Sequence, residues 1–358
     1  MTRVVLGMTL YNNATCLPEA MESLQAQTMT NFAMVLVDDG STDNTQALAH
    51  DYAAADARLT YVRHAERQGM VPTWRHAFEM ATAAHPTAEY FAWVSDHDRW
   101  APTWLETLVD DLDRHPDAVL SYPLVTRIDQ EGHELDKAPR SFDTGDVPLP
   151  RARWTRFCWE GFGSGDMVYG LMRIDAARRA GVFRPVLNPD RLLIAELVLQ
   201  GQIRQVEAPL WFRRQAGEAS VARQRTTLFA GTPPPRFGWP PSLQHAALLA
   251  SALAAPGPRA PMAAPTRWAM LVEYIVASGW RAYRKTDTSK RFGRGVDQAH
   301  FVKKVAKKTV RVSVYYTLVS MHAVVGRARR MSRRALYEVL MWTHRVGLRS
   351  PRGGSHPR

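Results

Sequence analysis

The 358-residue sequence predicts an α/β fold: a mixed, mainly parallel sheet flanked by helices, followed by a basic helical C-terminal region. Three observations predict it. Residues 1–125 alternate short β-branched runs with amphipathic stretches, the pattern of strands joined by helical crossovers. Two acidic clusters, Asp38-Asp39 and Asp96-His97-Asp98, fall at the ends of two of those runs. Basic charge collects at one end. Residues 281–358 hold 20 of the 46 Lys and Arg but 3 of the 34 Asp and Glu, a net of +17 against −5 for the rest of the chain.

The elements follow in order. Residues 4–10 are expected as a first strand rather than a secretory leader, because Asn12 and Asn13 follow the apolar run and no small-residue cleavage pattern appears. Residues 17–27 read as a helix and 33–37 as a second strand ending in Asp38-Asp39-Gly40. A helix over 42–54 opens on a capping signature, with Ser41 or Thr42 accepting from exposed amides and Asp43 in the positive first turn. Residues 59–62 form a third strand, 72–84 a helix, and 90–94 a fourth strand running into Ser95-Asp96-His97-Asp98. Pro102 introduces a helix over 103–114, and 118–128 is a fifth extended segment. The layout to this point is Rossmann-like. Further on, the glycine-rich stretch 161–165 precedes an apolar run at 167–171, and Asn188-Pro189-Asp190 opens a helix that Gly201 closes. Nine of the 34 residues from 232 to 265 are proline, which marks a connector with one short helix near 243–254. Helical pattern returns at 268–283 and 303–348.

At 46% hydrophobic and 22% charged residues, the composition excludes gross disorder. Two cysteines, Cys16 and Cys158, exclude a disulfide framework and a CxxC site, so a reducing compartment is expected. No run reaches the roughly 18 to 20 apolar residues of a spanning helix. The basic end calls for an anionic partner, and both lipid headgroups and nucleic acid carry the charge. No zinc-finger spacing or RNP motif accompanies it, so no nucleic acid is expected. Basic clusters flank an apolar run between 303 and 334, and Tyr315, Tyr316 and Trp342 suit the headgroup level. An interfacial helix pair on an anionic membrane surface is expected, with an ordinary solvated basic helix as the alternative. The expected location is cytoplasmic and peripheral, on the inner face of the plasma membrane.

Asp96 and Asp98, one residue apart on a loop at a strand end, can converge on a hard divalent cation, which takes one or two protein carboxylates and fills its shell with water and phosphate oxygens. A DxD tripeptide alone is equally a solvated turn with a helix cap. His97 between them is expected as a spacer. Asp38 and Ser41 also suit a cap and turn. What separates function from coincidence is topology: parallel strands put both acidic clusters along one edge of the sheet.

Thr9-Leu10-Tyr11-Asn12, then Val37-Asp38-Asp39-Gly40-Ser41-Thr42-Asp43, then Asp96-His97-Asp98 resemble, in order and on matching elements, the nucleotide-binding motifs of the GT-A fold, inverting family 2 glycosyltransferases. The resemblance covers roughly residues 3 to 215. It implies a glycosyltransferase of hexosyltransferase type with a GT-A domain at 1–215, a proline-rich connector at 216–266 and a basic helical region at 267–358. It implies that Thr9, Tyr11, Asn12 and Asp39 bind the nucleotide, with Asp96 near the ribose or the metal and Asp98 as principal ligand of Mg2+ or Mn2+. Asp190 falls where the family has its catalytic carboxylate, and Arg213 and Arg214 resemble basic residues that face phosphate. The implied partners are a nucleotide-diphospho-sugar donor and a glycan or lipid-linked acceptor, in envelope or surface glycan synthesis.

This sequence departs from the family in three places. Arg75 stands where an amide is usual, the Glu-Asp doublet near Asp190 is missing, and Gln215 replaces the His that commonly follows the last Arg. Asp190 is equally a helix cap on its residues alone, and Glu196 is the alternative base. Two other functions also use such elements, namely a nucleotidyltransferase and a non-catalytic nucleotide-binding module tethered to a membrane. Gly161-Phe162-Gly163-Ser164-Gly165-Asp166, with Tyr169-Gly170, is expected to shape an acceptor pocket or to form a tight turn.

Overall fold

The first strand forms as expected, β1 (Val4–Leu10), and the sheet is organised around it. The structure is a computed structural model that describes residues 2–161, 164–215, 221–230, 234, 237–254 and 264–285. After β1 come α1 (Leu17–Gln25), β2 (Phe32–Asp38), α2 (Thr45–Ala55), β3 (Leu59–Arg63), α3 (Met70–Ala84), β4 (Tyr90–Ser95), β5 (Arg99–Trp100), α4 (Trp104–Arg114) and β6 (Ala118–Ile128). The second half holds α5 (Pro150–Glu160), α6 (Ser164–Met167), β7 (Leu171–Arg173), α7 (Ile174–Arg179), α8 (Pro189–Gln200), β8 (Gln202–Arg214), α9 (Val221–Thr227), α10 (Pro241–Ala254) and α11 (Ala264–Lys285). All these residues belong to one compact unit, Met1–Val310.

The strand order is β3-β2-β1-β4-β7-β6-β8-β5. β3, β2, β1 and β4 run parallel, β7 is antiparallel to both β4 and β6, β6 and β8 are parallel, and β5 pairs antiparallel with β8. This is the mixed, mainly parallel sheet with flanking helices that the sequence predicts. Strands covered by helices on both faces must be apolar throughout, and β1, β2 and β4 are buried along almost their whole length. Trp93 of β4 is fully buried and packs 5.5 Å from Trp74 of α3, with Phe183 edge-on at 4.7 Å. Gly7 lets α3 seat closely, since a Cβ there would come 2.9 Å from the Phe91 ring and 3.1 Å from Ala77 Cβ. Met8, Leu36, Trp104 and Leu105 fill the other face.

Several local expectations shift. The helix after β2 starts three residues late, at Thr45, because its expected capping groups serve the loop after β1. Ser41 Oγ accepts from the Asn12 N–H (3.1 Å), and Asp43 accepts from the N–H groups of Thr45 (3.0 Å) and Ala14 (3.1 Å). The apolar run at 167–171 divides between α6 and β7, and α5 appears where no element was expected.

The segment from 216 to 266 contains α9 and α10. α10 packs on α8 and α11, where His245 meets the Tyr274 hydroxyl at 2.6 Å. Trp154 of α5 donates its indole N–H to the Met270 carbonyl of α11 at 3.0 Å. Among the described residues no helix is long and apolar enough to cross a membrane. The helices expected over 303–348 lie outside the described residues.

Candidate functional site

Register lines up the acidic motifs. Thr9 of β1 pairs with Val37 on one side and Ser95 on the other, so the chain leaves β2, β1 and β4 along the same edge. Adjacent strands lie about 4.8 Å apart, so the Asp38-Asp39 turn, the Tyr11-Asn12 loop and the Asp96-His97-Asp98 loop are neighbours. Asn13 ties two of them directly, its Nδ2 donating to the Asp96 carbonyl at 3.2 Å. Asn12, at φ 49°, accepts the Thr42 N–H on its carboxamide oxygen at 2.7 Å, joining the first loop to the second.

Asp38 is fully buried and accepts from the Ser41 N–H (2.7 Å) and the Tyr61 hydroxyl (2.9 Å), the turn role expected of it. Asp39 organises the loop that follows β3. Its Oδ1 accepts from Gln68 N–H (2.7 Å) and meets His64 Nδ1 (3.1 Å), and its Oδ2 accepts from Gly69 N–H (2.9 Å). Gly69 sits at φ +93°, and a Cβ there would come 2.6 Å from Phe229 Cα, so neither backbone nor space allows a side chain. Arg67 lies 4.2 Å over the ring of Tyr11, which is 40% exposed, and 3.9 Å from Asp39 Oδ2. Behind Asp39, His64 Nε2 meets His76 Nδ1 at 2.7 Å. Neither histidine, nor Arg67, was singled out from sequence.

Asp98 is 1% exposed, and strand pairing explains why. β5 lies against the end of β8, with Trp100 opposite Trp211, which brings the preceding Asp98 under that strand. Its Oδ1 accepts from the Arg214 N–H (2.8 Å) and its Oδ2 from the Trp211 indole N–H (3.1 Å). Burial raises the Asp98 pKa above the ordinary carboxylate value, against the opposing pull of His97 and Arg213. Asp96 is also buried, with His97 Nδ1 at 2.7 Å from its Oδ1. His97 Nε2 lies 3.9 Å from Asp98 Oδ1. Burial works to lower the His97 pKa, but the Asp96 hydrogen bond and the Asp98 charge outweigh it and the net shift is upward. Among the described residues no three His, Cys, Asp or Glu side chains are arranged to hold a metal unaided.

Tyr169 joins the distant motifs. Burial drives its phenol pKa up; Arg213 opposes that shift, and the charges of Asp98, Asp96 and Asp190 add to it. Arg213 lies 5.7 Å over the Tyr169 ring, which packs 4.9 Å from Trp211, the residue whose indole N–H donates to Asp98. Gly165 narrows the grouping. A Cβ there would lie 3.5 Å from Asp190 Oδ2 and 3.8 Å from Arg213 Nη1. Arg213 is held in place by the Gly165 carbonyl (3.0 Å) and by Asp166, which Arg127 grips from the other side at 2.7 and 2.8 Å. Asp166 is a buried carboxylate between two arginines and was quoted in the sequence without a role of its own.

Arg214 has a different position from its neighbour. Its guanidinium donates to the carbonyls of His97 (2.9 Å), Asp129 (3.0 Å) and Gln130, and pairs with Glu19. It is buried as a brace behind the Asp96–Asp98 loop. Glu196, the alternative base, is 2% exposed in the middle of α8 and bonded to Arg184 at 3.0 and 3.2 Å. Burial pushes its pKa up to about 7, with Arg184 pulling the other way. Arg75 donates to the carbonyls of Gly181 (2.9 Å) and Phe183 (3.0 Å), clamping a turn in which β-branched Val182 has φ 57°.

Residues 6–159 match the family model described as Glycosyl transferase family 2. The putative glycosyltransferase EpsH of Bacillus subtilis is 30% identical over 117 residues, 33% of this chain and 32% of that protein. The uncharacterized glycosyltransferase YibD of Escherichia coli is 35% identical over 109 residues, 29% of this chain and 30% of that protein. The chain spans roughly a third of the length of the curated relatives it matches. Among solved structures, Staphylococcus aureus TarS 1–349 is similar in fold, with a TM-score of 0.54 at 14% identity over 92% of this chain and 94% of that one. The same protein in complex with UDP-GlcNAc gives a TM-score of 0.53 at 16% identity, over 77% of this chain and 72% of that one.

Proposed function

We propose, from the match of residues 6–159 to the glycosyl transferase family 2 model, that this protein moves a sugar from a nucleotide-diphospho-sugar donor to an acceptor hydroxyl with inversion. The observation that carries the proposal is the approach of Asp190 and Arg213 across Gly165, with Arg213 5.7 Å over the Tyr169 ring and that ring 4.9 Å from Trp211, whose indole N–H donates to Asp98. Sugar transfer develops negative charge on the leaving diphosphate and needs a base at the attacking hydroxyl. Arg213, fixed by Asp166, supplies positive charge to the first. Asp190, across Gly165, takes the proton from the second. One base and one displacement invert the anomeric centre. Thr9, Tyr11, Asn12 and Asp39 form the nucleotide side, with Arg67 added to them, while Arg214 acts through the loop it braces.

Asp96 and Asp98 fit a Mg2+ or Mn2+ ion. Asp96 Oδ2 accepts no hydrogen bond among the described residues, and each Asp98 oxygen accepts one donor and keeps a second lone pair. Such an ion needs no more than one or two protein carboxylates, because phosphate oxygens and water complete its shell. Bound there, it would neutralise charge on the departing nucleoside diphosphate.

A glycan or lipid-linked acceptor in envelope or surface glycan synthesis, met at an anionic membrane surface through residues 267–358, agrees with the basic charge of that region. Flotation with anionic liposomes tests this last point, and equal flotation of a 1–280 truncation would refute it.

The reaction itself is tested by incubating the full chain with UDP-, GDP- and dTDP-sugars and Mn2+, then separating the products. Release of nucleoside diphosphate is expected, slow without an acceptor. Release of pyrophosphate would identify nucleotidyl transfer instead, and an absence of turnover with every nucleotide sugar would count against the proposal.

A further inference from the structure

The two residues before α8 are held by side chains from beyond the sheet domain. Gln224 of α9 takes Asn188 at both ends: the Asn188 N–H donates to Gln224 Oε1 (2.9 Å), and Gln224 Nε2 donates to Asn188 Oδ1 (2.8 Å). Gln244 of α10 accepts the Leu187 N–H at 3.0 Å, and His245 Nε2 donates to the Leu187 carbonyl at 2.6 Å. Both backbone polar groups of Leu187 are thus committed to α10. Asn188 has φ 51°, the left-handed region that asparagine enters at low cost. Its side chain does not cap α8, because it is in the grip of Gln224. Asp190 follows two residues later.

The other end of the same short helix reaches the nucleotide side. The Leu228 carbonyl accepts from the Val71 N–H (3.1 Å), and the Ala230 N–H donates to the Gln68 carbonyl (3.0 Å). Phe229 between them fills the space above Gly69. The amides of Gln68 and Gly69 are those that Asp39 binds. Residues 224–230 therefore span from the Asp39 loop to the Asp190 loop without passing through the sheet.

We propose that Gln224 is a positioning residue for Asp190, and that α9 ties the orientation of this carboxylate to the Asp39 loop. This rests on Asp190 being the base. The physical basis is that the paired carboxamides fix the backbone of Asn188, and that backbone sets the direction in which the first turn of α8 presents Asp190. Misplacing a reacting group by about 1 Å costs on the order of 100-fold in rate.

The test compares the full-length protein with Gln224→Ala and Gln224→Glu, the latter keeping the acceptor for the Asn188 amide but not the donor to its side chain. Gln224→Ala is expected to lower kcat about tenfold or more, with donor Kd changed less than about twofold. Gln224→Glu should fall between it and the parent. By hydrogen exchange, Gln224→Ala should speed exchange both at 187–191 and at 68–71. Parental kcat in Gln224→Ala, or equal losses of kcat and donor affinity, would overturn the positioning role. Faster exchange at 187–191 alone would overturn the tie to the Asp39 loop. An active Asp190→Asn enzyme would instead remove Asp190 as base, and exchange at 68–71 would still decide whether α9 joins the two loops.

Discussion

Asp190→Asn is expected to reduce sugar transfer by roughly 1,000-fold, the middle of the range for losing a positioned base, while leaving donor affinity unchanged. The asparagine keeps the size and polarity of the side chain in the first turn of α8, so the fold and the Gly165 contact survive. What is lost is the negative charge and with it the capacity to take a proton. Glu196→Gln is the matched control. Glu196 is enclosed in α8 and paired with Arg184, so its neutral isostere should retain turnover and change stability alone. Transfer surviving in Asp190→Asn and failing in Glu196→Gln would reverse the assignment.

Asp98→Ala is expected to lose both donor binding and stability. The side chain accepts from two donors that have no route to water, the Arg214 amide and the Trp211 indole N–H. Leaving a buried donor unsatisfied costs about 1–3 kcal/mol, so the pair should cost roughly 2–6 kcal/mol and lower Tm measurably. Asp98→Asn separates the two effects. Its carboxamide oxygen still accepts from one donor, so part of the lost stability returns, but the carboxylate charge at position 98 is gone and Asp96 alone is left to hold a cation. Donor binding that depends on Mn2+ should therefore stay absent in Asp98→Asn while Tm recovers part of the way. Full Mn2+-dependent binding in either variant would show that Asp98 is a structural tie between β5 and β8 and nothing more.

The sheet edge was legible because each level of the sequence agrees there. Apolar runs define β1, β2 and β4, and parallel topology then obliges Tyr11, Asp39 and Asp96 to emerge side by side. β1 and β6 form at the predicted limits. Pairings that depend on tertiary contact carried no such signal. β5 is two residues long and β7 three, and each is specified by the strand beside it rather than by a pattern of its own. α5 was missed because its buried face includes Arg153, whose guanidinium is satisfied by the carbonyls of Val147, Pro148 and Val198. Arg213 and Arg214 looked equivalent in sequence, yet neighbours on a strand point to opposite faces, and one reaches Tyr169 while the other reaches Glu19. Asp39 binds the amides of Gln68 and Gly69 while Arg213 reaches Tyr169, and that division of the acidic edge into two parts is not encoded in the spacing. Gln224 lies inside the expected connector, 216–266, where composition gave no reason to expect a residue that touches the Asp190 loop.

The central claim is that segments far apart in the chain close on one ligand around Tyr169. Hydrogen exchange of the full chain, with and without a nucleotide-sugar donor and Mn2+, measures it most directly. Simultaneous protection is expected at 95–99, 165–170, 188–191 and 211–214. Protection confined to one of these segments, or absent from all of them while the donor is bound, would contradict it.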